Sequence, residues 1–182
     1  GVKAGVGYAY EFAGPVIDDL SMEERMTICN MAIEGGARCG YINPDQKTFD
    51  YLKEKIYSPK GTQWNAAVKW WKSLCSEENA IFDDEVKFDA RQIAPTITWG
   101  ITPGQAISID SCIPKLESLE ESDQQNALEA YKYMNLKPGS SLEGLKIDVC
   151  FIGSCTNGRL SDLQTAAEIV KNQKVAKGVK AF

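Results

Sequence analysis

Apolar and polar positions along this chain recur with two periods, and the switches between them mark its elements. Val6 to Phe12 alternates and is rich in aromatics, which predicts a strand. Ala13-Gly14-Pro15 opens a short helix, with proline tolerated in the first turn. Ser21-Met22-Glu23-Glu24 has capping-box spacing, in which the Ser hydroxyl and the Glu carboxylate satisfy end amides reciprocally. The helix that follows is expected to reach Gly35-Gly36 and to carry Met22, Met26, Cys29 and Ile33 as its apolar stripe. Cys39 to Ile42 predicts a short strand. Asn43-Pro44-Asp45 starts a helix with Phe49, Leu52 and Ile56 inward. Thr62 is expected to cap the next helix, and Trp64, Ala67, Val68, Trp71 and Leu74 fall on one face of it, a core stripe.

The second half is shorter in its periods. Val86 to Phe88 and Thr96 to Trp99 predict strands, the second followed by a Pro103-Gly104 turn. Pro114 to Asp123 is acidic and predicts a linker. Asp123 to Met134 predicts a helix with Ala127, Ala130, Tyr131 and Met134 on one side. Pro, Gly and Ser cluster between Gly139 and Leu145, the place expected for a domain boundary. Ile147 to Ile152 is a β-branched apolar run that predicts a buried strand. It breaks into Gly153-Ser154-Cys155-Thr156-Asn157-Gly158, then Leu160, Leu163, Ala167 and Val170 recur at helical spacing. Lys180 to Phe182 resembles the start of a further strand with no partner, and with the non-Met first residue it suggests a fragment. Short strands alternating with amphipathic helices predict an α/β fold. The expected division is an α/β domain over 1–139 and a partial α/β domain over 140–182.

Composition narrows the function classes. The 182 residues are 43% hydrophobic, which suits a folded core, and the formal net charge of -5 gives no support to a nucleic-acid partner. No apolar run approaches membrane-spanning length, and no signal-peptide pattern opens the sequence. The six cysteines form no C-x-x-C pair and read as reduced thiols in a cytosol-like, cytoplasmic setting. There is no histidine, so a self-contained His-based site is not expected.

Two groups of residues carry candidate chemistry. Cys155 lies in a small polar loop between a strand and a helix, where ligands bind in open α/β sheets and where a helix N-terminus favours a thiolate. Ser154, Thr156 and Asn157 offer hydroxyls and amides around the sulfur. A cysteine at such a place also suits the role of an inert small hydrophobe. Asn30 and Glu34 are four apart and share a helical face beside the apolar stripe, a spacing equally suited to a solvated flank.

The segment Cys150 to Leu163, with Ser154-Cys155-Thr156-Asn157 at its centre, resembles the cluster-ligand motif of the aconitase superfamily. Arg25 to Arg38 resembles the helix that carries an active-site Asn and Glu in that superfamily, and the match falls on Asn30 and Glu34. Thr98 to Gln105 resembles a segment typical of isopropylmalate isomerase and homoaconitase large subunits, and Tyr133 to Gly139 again resembles the family, so the resemblance runs over nearly the whole chain in order. It implies an aconitase-like three-layer α/β/α fold. It also implies part of a hydro-lyase large subunit that moves a hydroxyl between neighbouring carbons of a hydroxy-dicarboxylic acid by dehydration and rehydration, in leucine biosynthesis. Homoaconitase and methylmalate/citraconate dehydratase are the alternatives within the superfamily, and a non-catalytic α/β binding or assembly domain is the alternative outside it.

The resemblance further assigns Cys155 as one ligand of a 4Fe-4S cluster, with Ser154, Thr156 and Asn157 around it, and Asn30 and Glu34 as active-site residues. Glu34 would then contact the hydroxyl or water of the reaction. The remaining cluster cysteines and the catalytic histidines of the superfamily have no counterpart here, and a small-subunit partner would complete the active site.

Overall fold

The computed structural model of the protein describes residues 2–182. It is an α/β chain with strands β1 (Tyr10–Glu11), β2 (Gly40–Tyr41), β3 (Thr96–Thr98), β4 (Ala106–Ser108), β5 (Val149–Cys150) and β6 (Lys180–Ala181). The helices are α1 (Pro15–Asp19), α2 (Met22–Met31), α3 (Gln46–Lys53), α4 (Thr62–Lys72), α5 (Glu121–Met134) and α6 (Leu160–Val170). The strands form three two-stranded sheets, so the layering that the resemblance implies is represented here by strand pairs alone.

The chain separates into two compact units. One comprises Lys3–Lys87 with Gly153–Lys171; the other comprises Phe88–Ile152 with Asn172–Phe182 and Val2. The boundary expected near Gly139–Leu145 therefore falls inside the second unit. Local hydrogen bonds explain why: Ile113 N donates to Ser140 O at 2.9 Å, Gly139 N to Ile113 O at 2.8 Å, and Cys112 bridges Ser141. Turn-rich composition marked a turn there, but paired backbone groups tie that turn into one body.

In the first unit, β1 and β2 pair in parallel, Tyr10 with Gly40 and Glu11 with Tyr41. The strand expected over Val6–Phe12 is reduced to two residues, because the preceding segment turns back on itself through Val6 N to Lys3 O and Tyr8 N to Gly5 O bonds. Gly40 permits the close approach of β2 to α2: a Cβ there would lie 2.7 Å from the Cys29 Cα. The capping box of α2 forms as its spacing predicted, with Ser21 Oγ accepting from Glu24 N and Ser21 N donating to the Glu24 carboxylate at 2.8 Å. Asp45 caps α3 in the same way through Thr48. Phe49 is buried and stacks on Trp71, with centroids 6.1 Å apart, and Trp64 meets Trp71 edge-on at 5.6 Å. Ile56, expected inward, is 85% exposed because α3 ends at Lys53 and Ile56 lies beyond its last turn. Gly61, not Thr62, precedes α4; Thr62 is its first helical residue.

Arg25 is the buried charge of this unit, 3% exposed. Its Nη2 donates to an Asp45 oxygen at 2.7 Å and to Asp18 O at 2.9 Å, and its Nε donates to Ile17 O at 3.2 Å. One guanidinium thus joins α2 to the end of α1 and to the cap of α3. Nη1 has no protein partner among the described residues.

In the second unit, β3 and β4 form an antiparallel hairpin with Thr96 opposite Ser108 and Thr98 opposite Ala106. The Gln105 side chain closes the turn by accepting from Ile101 N at 2.7 Å. Trp99, Ile113, Ala127, Ala130 and Tyr131 make the core, with Trp99 stacked on Tyr131 at 5.3 Å. The Tyr131 hydroxyl donates to Pro114 O at 2.8 Å, which satisfies its buried polar end. The segment expected as a linker carries a 3-10 turn at Leu116–Ser118, and α5 starts at Glu121. Val86 to Phe88 forms no strand; Val86 and Phe88 are exposed. The run from Ile147 to Ile152, expected to be a buried strand, pairs only at Val149–Cys150. Val149 and Phe151 are 57% and 72% exposed, because strand side chains point to the sheet faces and β6, the paired neighbour, covers an edge and not a face. That neighbour is β6, in parallel, so the Lys180–Phe182 segment does find its hydrogen bonds: Lys180 N donates to Asp148 O and Phe182 N to Cys150 O.

Two measurements test the Arg25 anchor. Breaking a buried ion pair costs about 3–5 kcal/mol, and since Asp45 is 39% exposed and can regain water, Arg25→Met should cost roughly 2–3 kcal/mol in urea unfolding. The Arg25 guanidinium first, and the Thr48 amide after it, hold the Asp45 carboxyl down to about 2 against the opposing effect of burial. A carboxyl whose folded value lies below its unfolded value of about 3.9 stabilises fully above that pH and loses the contribution as pH falls through the folded value. Stability should therefore decline between about pH 4 and pH 2, and Asp45→Asn should flatten that decline. An unchanged acid slope in Asp45→Asn would contradict the pairing.

Candidate functional site

The first unit brings the Cys155 loop against α2. Asn30 is in the last turn of α2, and its Nδ2 donates to Thr156 Oγ1 at 2.7 Å. The link spans 126 positions of sequence and joins the two motifs that the sequence had placed separately. Glu34 behaves differently. α2 ends at Met31, and the backbone tightens into turns through Ile33 N to Asn30 O and Gly36 N to Ile33 O. Glu34 therefore lies in the turn after the helix, not on one helical face with Asn30, and it is exposed. Its carboxylate makes no protein hydrogen bond or ion pair among the described residues. The positive φ of Gly36, 90°, is what lets the chain leave the helix there.

The loop has its own internal frame. Ser154 N donates to Asn157 O at 3.2 Å, and Asn157 N donates to Ser154 Oγ at 3.3 Å. Gly153 holds φ at 125°. Gly158 is required by contact: a Cβ would sit 2.7 Å from Ser154 O. The Cys155 thiol is exposed, and among the described residues its polar contact is a long one, to Thr156 Oγ1 at 3.9 Å.

Sequence reasoning passed over Arg159 and Thr27. Arg159 Nη1 donates to Thr156 O at 2.7 Å and to Thr27 Oγ1 at 2.9 Å, while its backbone N–H donates to Asp162 Oδ2 at 2.9 Å. Arg159 followed the loop in the motif, yet nothing in its spacing announced a partner on α2. A cleft of about 260 Å³ opens beside these residues, lined by Glu24, Thr27, Asn157 and Asp162 among others.

The donor set decides what the site can hold. Among the described residues no group of three His, Cys, Asp or Glu side chains converges on a metal position. The other cysteines stand elsewhere, and burial, with a smaller effect of Cys39, pushes the Cys29 thiol up, away from thiolate chemistry. Within the loop Cys155 is one exposed thiol, and one thiol fits a single thiolate ligand of an iron-sulfur cluster and no more.

The aconitase family (aconitate hydratase) matches residues 1–182. The chain is 77% identical over 182 residues to the 3-isopropylmalate dehydratase large subunit of Prochlorococcus marinus (strain MIT 9211), and 75% identical to that of a second Prochlorococcus marinus strain. It is 67% identical to the 3-isopropylmalate dehydratase large subunit of Synechococcus sp. (strain RCC307). Each match takes in 100% of this chain and 39% of the relative, so the chain spans well under half the length of the relatives it matches.

The close contact at Gly158 predicts that Gly158→Ala opens the loop. Displacing a backbone oxygen by a methyl group should cost roughly 1–3 kcal/mol, read as a lower urea midpoint of the unit that holds α2 and α6. A midpoint equal to wild type would show that the loop yields freely.

Proposed function

This chain belongs to the aconitase family, and we propose that it contributes part of the large subunit of a 3-isopropylmalate dehydratase acting with a small-subunit partner. The observation that carries the reading is identity of 77% over every residue of the chain to a large subunit of that name. The contact between Asn30 and the Cys155 loop supports it, because it gathers residues from both motifs within one compact unit.

In this reading Cys155 is one thiolate ligand of a 4Fe-4S cluster whose other ligands come from outside these residues. When bound, such a cluster supplies a Lewis-acidic iron for the hydroxyl and carboxylate of a small hydroxy-dicarboxylic acid. Asn30 orients the ligand loop through Thr156, and Ser154 with Asn157 keeps the loop closed on itself. Glu34, exposed and unpaired among the described residues, accepts or donates a hydrogen bond at the oxygen that leaves and re-enters the substrate. A thiolate-held cluster requires reduced cysteines, and all six are free, which supports a reducing, cytoplasmic setting. No helix among the described residues is long and apolar enough to cross a membrane.

The test is dehydration of 3-isopropylmalate by the intact large subunit joined to its partner. Preference for homoaconitase or citraconate-type substrates would overturn the substrate assignment. Iron, sulfide and visible absorption should fall to background in Cys155→Ser of the intact, anaerobically reconstituted subunit; a wild-type spectrum there would remove Cys155 as a ligand. Glu34→Gln should lower turnover while stability changes by less than about 1 kcal/mol, as for exposed positions elsewhere. Unchanged turnover would take Glu34 out of the reaction.

A further inference from the structure

We propose that Arg159 is a positioning residue: it latches the peptide that follows Cys155 to α2 and so sets where the thiol stands. The inference rests on the reading of Cys155 as a cluster ligand. Thr156 is gripped at two atoms, its carbonyl by Arg159 Nη1 and its hydroxyl by Asn30 Nδ2, both at 2.7 Å. The same Nη1 donates its second hydrogen to Thr27 Oγ1 at 2.9 Å. The polarity of that contact is settled by the next link, since the Thr27 hydroxyl donates to Glu23 O at 3.1 Å and leaves its lone pairs to accept. Arg159 is itself fixed, because its amide is held by Asp162 and the Asp162 carboxylate stands 4.0 Å from the guanidinium.

The energetics favour a latch over a passive surface contact. The guanidinium is about a quarter exposed, and charge-assisted bonds of this length are the stronger class. The loop, in contrast, buries little: Ser154, Cys155, Asn157 and Gly158 are all exposed, so apolar packing does not hold it. With burial absent, the polar bonds from Asn30 and Arg159 are what confine the backbone at Thr156, directly after the thiol. A cluster ligand must be confined in this way, since ligand orientation is set by the bonds behind it.

The experiment is Arg159→Met in the intact large subunit, with two readouts. Amide hydrogen exchange of 154–157 in the cluster-free protein should quicken about tenfold, while amides of α3 and of the β1–β2 pair stay within about twofold of wild type. The half-life of bound iron and sulfide in the reconstituted protein should shorten severalfold. Thr27→Val, which removes only the acceptor on α2, should move both readouts in the same direction by less. Wild-type exchange in the loop, or equal quickening across the whole unit, overturns the latch. A wild-type cluster half-life in Arg159→Met, together with cluster loss in Cys155→Ser, overturns the positioning role while leaving the ligand reading intact. A cluster that persists in Cys155→Ser overturns the ligand reading and the positioning role with it, and loop exchange then reports on the latch alone.

Discussion

A buried guanidinium organises the unit that carries the candidate site. Arg25 cannot be left unpaired at 3% exposure, so the chain must bring it acceptors, and it does so from two neighbouring elements: the two carbonyls at the end of α1 and the carboxylate that caps α3. Because Asp45 serves both as partner of Arg25 and as cap of α3, the start of one helix and the middle of another are set by a single charge. α2 is thereby fixed at its first half, and Thr27 and Asn30 extend from that fixed length toward the Cys155 loop.

Beyond α2 the physical basis changes from burial to directed polar bonds. Phe49, Trp64 and Trp71 pack the helices of this unit, but the loop residues have no such support. Their arrangement depends on hydrogen bonds of fixed direction, from Ser154 within the loop and from Asn30 and Arg159 across to α2. This division leaves the Cys155 thiol exposed.

The second unit is built on a different scheme. Trp99, Ile113 and Tyr131 give it a small aromatic core under α5, and the Gln105 turn and the Ile113–Ser140 bonds close it. None of the candidate site residues lies in it, and β5 and β6 end it as a two-stranded parallel pair with apolar side chains in the open.

Much of the local structure was legible in the sequence because it depends on neighbours a few residues apart. The capping box at Ser21 and Glu24, the Trp64–Trp71 pair of α4, the buried Ala127, Ala130 and Tyr131 of α5 and the strand-loop-helix order around Cys155 all follow from short-range spacing, whereas Leu74 and Met134, expected inward with them, are exposed. Where the helix of Asn30 stops, how far the strands extend and where the units divide depended instead on the backbone bonds and distant partners that folding supplies. α2 ends early because turns of its own backbone replace helical bonds, which moves Glu34 off the face shared with Asn30. Ile147 to Ile152 looks buried in the sequence, yet burial needs an element packed on the face of the strand, which periodicity alone does not supply. Likewise Arg159 carried no recognisable pattern, since its role arises only when the start of α6 and α2 are brought together across 132 positions. The sequence by itself determined which residue types were available at the site; tertiary structure alone decided which of them touch, because a hydrogen bond depends on distance and direction in space and not on separation along the chain.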